Sequence, residues 1–284
     1  MNDSEKHCLS LLRNGDYDRY ISVLFAPRDK RGDLAALYAF YLEIARIRDT
    51  VKEPLAGQIR LRWWRDTIEM GFGEGQSPVI TALFVAIKRH DLPLEAFLHM
   101  CDARIFDLYH DVMPGHSNLE GYYDDTAALV IQLACHILDR KAAPSCADAC
   151  HHGGAAQEIS GLLRLLSMTI RRDQLCIPQN ILKAVGVTRE GLRILVQDIE
   201  GCSRLVSAML ALAYEYYDAF VAAVKNIPAS VQAAFLPLGT LPAYLKQVEA
   251  SGPEIFKDIP RLSRLYCQWL ILRTAFTGNF HYKP

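Results

Sequence analysis

Residues 34–49 read LAALYAFYLEIARIRD, and their spacing decides the fold class. Leu34, Leu37, Tyr38, Tyr41, Leu42 and Ala45 recur at i, i+3, i+4 and i+7, which lines one buried face of a helix. The same period returns near 59–72, 79–90, 93–113, 119–139 and 146–169. It continues near 178–184, 188–226, 228–236, 240–249 and 260–277. Between these segments stand helix-stopping residues: Pro27, Pro54, Gly71 to Gly75, Pro114–Gly115, Pro144, Pro178, Pro228, Pro237 and Gly252–Pro253. No segment alternates with period two, and no internal repeat is present. The spacing therefore predicts one all-α domain over residues 1–284. SRLVSAMLALAYEYYDAFVAAV at 203–224 is apolar enough for a central helix, while Glu215 and Asp218 argue against its lying in lipid.

Composition narrows the function. The 284 residues are 51% hydrophobic and 22% charged, enough to bury a sizeable core. The net charge of −1 gives no overall basic field, so nucleic acid is not an expected partner. The opening MNDSEKHCLSLLRNGD carries acids from its third residue and no apolar run, unlike a secretory signal. Eight cysteines lie scattered through apolar helical patterns, which predicts reduced thiols and a cytoplasmic setting. Peripheral contact with the inner face of a membrane stays compatible with this reading. Cys146, Cys150, His151 and His152 look like a metal cluster. On one helix, however, the histidines rotate away from the cysteines, and tetrahedral zinc needs converging ligands. They are expected as helix and loop side chains, and Asp124 and Asp125 as solvated. P-loop, dinucleotide-binding and nucleophile-elbow motifs are absent.

The stretch 34–49 runs on to IRLRWWR at 59–65, and RLLSMTIRRDQLCIP at 164–178 follows later. Together these segments resemble the squalene/phytoene synthase family, as do DRYISVLFAP at 18–27 and RLSRLYCQWL at 261–270. The resemblance implies an isoprenoid-synthase-like helix bundle around a central cavity. It also implies Mg²⁺ held by two Asp-rich helices if the chain is active. The family's first motif reads Y-A-F-C-R-x-x-D-D-x-x-D; here Ala45 and Arg46 stand at the first two acids and Asp49 at the last. Carboxylates at i and i+4 can share a hard cation, so one partner of Asp49 is a methyl group. In the second motif Arg164 matches, while Gly161, Leu165 and Thr169 occupy the metal-binding positions. Glu158 and Asp173 lie one turn to either side and are the remaining oxygen candidates. Tyr17-Asp18-Arg19-Tyr20 replaces a Ser-x-Ser-Phe segment whose hydroxyls help hold diphosphate.

The form Y-x-E-I-A-x-I-R-D at 41–49, followed by E-P-x-x-G-x-I-R-L-x-W-W at 53–64, is similar to a divergent branch that includes a respiratory complex I assembly factor. The candidate diphosphate-binding residues are Asp49, Arg164, Tyr41 and Tyr20, with Asp49, Glu158 and Asp173 as metal candidates. One of Trp63 and Trp64 is expected in the core, with the nearby arginines solvated or paired to Asp66 and Glu69. The resemblance implies a non-catalytic assembly or isoprenoid-binding protein, with a lipid in the cavity or respiratory-complex subunits as partners. The alternative is an active Mg-dependent prenyl-diphosphate transferase.

Overall fold

The computed structural model describes residues 1–71, 77–109, 113–172, 177–188 and 199–280. Among them the regular structure is helical throughout, as the periodicity predicts. The first half holds α1 (Asp3–Gly15), α2 (Tyr17–Phe25), α3 (Arg31–Thr50), α4 (Pro54–Met70), α5 (Pro78–His90) and α6 (Leu94–Ala103). There follow α7 (His116–Tyr123), α8 (Leu129–Leu138), α9 (Ala147–Arg164), α10 (Leu166–Arg171) and α11 (Gln179–Ala184). The last are α12 (Ile199–Val224), α13 (Gln232–Phe235), α14 (Leu241–Ser251) and α15 (Arg264–Thr277).

Local chemistry sets the ends. A reciprocal capping box joins Asn2 and Glu5 at the start of α1. Asp16 caps α2 through the Arg19 amide, and Ser263 caps α15 through the Tyr266 amide. Pro54 opens α4, where a missing N–H costs nothing, and Gly71 at φ 61° closes it.

The centre is built on α3 and α9. From Gly32 to Leu42 every residue of α3 is buried, because α1, α5 and α8 surround it. Helix α9 lies between α12 and a π-helical turn, Asp124–Ala128, that joins α7 to α8. The approach of α9 is close: a Cβ on Gly154 would sit 2.5 Å from the Ala128 amide nitrogen. Helix α12 is the predicted apolar segment of 203–224. It is long and apolar enough to cross a membrane, yet half of that window is buried inside the molecule. Leu205, Met209, Ala213 and Phe220 are among the residues it buries.

Two expectations need correction. The helix expected over 93–113 stops at Ala103, and a 3-10 turn, Phe106–Leu108, follows. Arg104 and Asp107 turn inward there and bond to each other. The segment 146–169 is interrupted at Leu165, whose φ of −96° and ψ of 8° separate α9 from α10.

Candidate functional site

Tyr41 sits on the α3 face that looks toward α9, and its hydroxyl donates to Glu158 Oε1 at 2.7 Å. Arg104, at the end of α6, reaches the same point. Its Nη2 donates to the Tyr41 hydroxyl at 2.7 Å and to Glu158 Oε1 at 3.4 Å. Its Nη1 donates to Asp107 Oδ2 at 3.1 Å, and Tyr122 of α7 donates its hydroxyl to Asp107 Oδ1 at 2.8 Å. Arg48 approaches Asp107 at 3.8 Å and Asp49 at 3.9 Å, and Arg172 then pairs with Asp49. Positive and negative groups thus alternate from Arg172 at the surface to Glu158 in the interior. Beside the outer end, a cleft of about 240 Å³ is lined by Arg48, Asp49, Lys52, Glu53 and Arg172 among others.

A second arginine closes the inner end. Arg19 lies 4.8 Å over the Tyr41 ring, bonds Asp16 at 2.5 Å and donates to Gln157 Oε1 at 3.2 Å. Burial opposes the charge on Arg19, but Asp16 outweighs it with help from Tyr41 and raises the pKa. Arg104 behaves alike: burial disfavours its charge, and Tyr122, Tyr41, Asp107 and Glu158 together drive its pKa well up. Burial pushes the Tyr41 phenol above its ordinary value, against the pull of Arg104. The interior is a set of fixed guanidinium charges with matched oxygens, worth more in low dielectric than the same pairs in water.

Arg164 ends α9 in a separate neighbourhood. Its guanidinium lies 3.6 Å over the Tyr244 ring, and its Nε is buried without a hydrogen-bond partner. Thr240 donates to Asp18 at 3.3 Å. The Asp18 carboxyl is pushed up to about 6 by burial and by Asp16, against Arg164 and Thr240. Tyr20 stacks on Tyr17 at 5.7 Å and packs against both the Ile21 cluster and the main core.

The expected residues therefore divide. Tyr41 and Glu158 meet; among the described residues Asp49 connects to them through Arg48, Asp107 and Arg104; Arg164 sits instead over Tyr244, and Tyr20 stacks on Tyr17. Asp173 falls outside the described residues. The fit to Mg²⁺ is poor, because Asp49 is held by Arg172 and Glu158 by Arg104 and Tyr41. Among the described residues no three His, Cys, Asp or Glu side chains converge as a metal site.

Trp64 is the buried tryptophan, edge-on to Phe40 at 5.4 Å, and Trp63 is 48% exposed. Arg65 pairs with Asp102 at 3.7 Å, on α6, in place of Asp66 or Glu69. Asp124 is exposed as expected but bonds His151 at 2.6 Å. The arginine–acid partners Arg19, Arg104 and Asp107 were not legible in the sequence. Arg104 and Asp107, three apart inside the apolar run 96–108, were the available signal.

A sequence profile described as squalene/phytoene synthase matches residues 12–266. The chain belongs to the squalene/phytoene synthase family. Within and around that family, the chain is 29% identical over 256 residues to a protein of Rattus norvegicus, covering 89% of this chain and 76% of that one. That relative is named NADH dehydrogenase (ubiquinone) complex I, assembly factor 6. A presqualene diphosphate synthase of Rhodopseudomonas palustris is 24% identical over 196 residues, covering 68% of this chain and 70% of that one. Among solved structures, squalene synthase HpnC from Alicyclobacillus acidocaldarius superimposes with a TM-score of 0.71 at 19% identity. That match spans 88% of this chain and 94% of the other and speaks for the shared synthase fold.

Proposed function

We propose that this chain is a squalene/phytoene synthase family protein that works by binding rather than by catalysis, as an assembly factor for NADH–quinone oxidoreductase. The observation that carries the reading is the pairing of Asp49 and Glu158 with arginines. Diphosphate departure needs strong stabilisation of the leaving charge, which the family supplies through several metal ions. Here the two candidate carboxylates among the described residues, Asp49 and Glu158, are paired with guanidinium groups, and by the resemblance Ala45, Leu165 and Thr169 stand where the family carries acids. The broader match to complex I assembly factor 6 than to presqualene diphosphate synthase favours the same reading. Isoprenoid binding without turnover is compatible with it. We propose a cytoplasmic setting, compatible with peripheral contact at the inner face of a membrane, on the strength of the scattered free cysteines.

The test has two arms. Purified protein incubated with farnesyl or geranylgeranyl diphosphate and Mg²⁺ forms no presqualene diphosphate, squalene or phytoene. Deleting the gene lowers the amount of assembled NADH–quinone oxidoreductase, and an Ala45→Ser copy restores it. Product above a boiled control would replace this reading with a Mg-dependent prenyl-diphosphate transferase. Normal assembly in the deletion strain would overturn the assembly role.

A further inference from the structure

Helix α15 is apolar on two opposite faces. One face, with Cys267, Leu270, Ile271 and Thr274, is buried against α2 and the turn at 236–240. The other carries Leu265, Trp269 and Phe276, which are 79%, 49% and 81% exposed. At about 100° per residue these three fall within roughly 40° of one another round the axis. A surface helix with one buried apolar face ordinarily turns polar residues outward, so a second apolar stripe on the opposite side is out of keeping with water there. The patch also crosses to α2: Phe25 meets Phe276 edge-on at 6.3 Å, and Leu24 is 37% exposed.

We propose that this face seats on an anionic phospholipid surface. Charge selects the occupant. From Ile259 to Phe280 the sequence holds Arg261, Arg264 and Arg273 and neither Asp nor Glu. Arg261 and Arg264 are exposed beside Leu265. Exposed large apolar side chains on a helix that carries arginine and no acid make the pattern of a helix lying in a membrane interface, and the nearest exposed acids in sequence, Asp258 and Asp29, lie off that helix. Trp269 stacks parallel to Tyr266 at 6.1 Å, and such amphipathic rings suit the headgroup level. Next to Phe25 and Ala275, a groove of about 450 Å³ is also lined by Arg28 and Arg31 and has room for a headgroup phosphate. A second copy fits less well, because the patch would bring its own arginines together with no acid between them. The exposed stripe on α4 (Leu55, Ile59, Trp63, Met70) lacks this one-sided charge, since Asp66 and Glu69 are interleaved with its arginines.

Flotation of the full chain with phosphatidylcholine vesicles, with and without phosphatidylglycerol, tests the proposal without reference to the assembly assay. The wild-type chain floats with the anionic vesicles, and its bound fraction falls as salt rises. Leu265→Ser with Phe276→Ser lowers the partition coefficient at least about tenfold, with unchanged circular dichroism and melting. Arg261→Gln with Arg264→Gln removes the preference for phosphatidylglycerol. Ile59→Ser with Met70→Ser floats like wild type. The proposal is overturned if the wild-type chain stays at the bottom of the gradient, or if the serine pair floats undiminished. A dimer in light scattering that the serine pair dissolves, with no flotation, would assign the face to a second copy instead.

Discussion

Replacing Arg104 by Met removes the hub of the interior charge network while keeping an unbranched chain in its place. Asp107 is 3% exposed and would keep the Tyr122 hydroxyl and distant Arg48, at 3.8 Å, as its oxygen partners. Among the described residues Glu158 would keep the Tyr41 hydroxyl at 2.7 Å. Breaking a buried pair from one side costs about 3–5 kcal/mol, because the other charge is left without compensation. Against a total stability of roughly 5–15 kcal/mol, that is a large fraction. It corresponds to a fall in melting temperature of roughly 6–20 °C for a chain of this size. Urea unfolding followed by far-UV circular dichroism measures the loss directly. Adding Asp107→Asn and Glu158→Gln to Arg104→Met should recover part of it, since neutral amides need no counter-charge. Arg104→Met within about 1 kcal/mol of wild type would refute the reasoning. The guanidinium would then be held for something other than the fold.

Three further outcomes follow from positions described above. In Asp18→Asn the pH dependence should flatten: the folded carboxyl titrates near 6 against an ordinary 3.8, so the native state binds the extra proton. Stability therefore falls as pH climbs from about 4 to about 6 and is level above, and the variant should gain about 1–2 kcal/mol at neutral pH after allowance for partial exposure. Chemical denaturation at both ends of that window shows whether the slope disappears. Trp64→Ala should cost about 3–5 kcal/mol through the cavity left beside Phe40, whereas half-exposed Trp63→Ala should cost under about 1 kcal/mol; equal losses in thermal melts would contradict the packing. Gly154→Ala should destabilise by about 1–3 kcal/mol, because the new methyl meets the Ala128 backbone rather than a yielding side-chain tip. Unchanged melting of that variant would mean α9 can move away.

Much of the helical framework could be read from spacing alone. The stretch 34–49 lies inside α3, and the expected 240–249 and 260–277 overlap α14 and α15 closely. Periodicity works there although α3 is buried all round from Gly32 to Leu42, because its larger apolar side chains still recur at helical spacing. It failed at Ala103, where Arg104 and Asp107 leave the helical path to bond inside. It failed again at Leu165, where an apolar residue ends a helix with no proline or glycine to mark the stop. The site was less legible for a different reason. Tyr41 and Glu158 are 117 residues apart and Arg19 and Gln157 are 138 apart, so their meeting is a property of how helices cross. Asp49 has Arg48 beside it in sequence at 3.9 Å, yet its tighter partner is Arg172, 123 residues further along the chain.

The wide sequence separation of these charged partners bears on how the chain is made. Arg104 is translated 54 residues before Glu158, a delay of roughly 3–11 s at ribosomal speed. Through that interval the nascent amino-terminal helices carry Arg104, whose acid from α9 has yet to be synthesised. Tight closure of that half would bury charge prematurely, so it should stay loose and chaperone-accessible until α9 emerges.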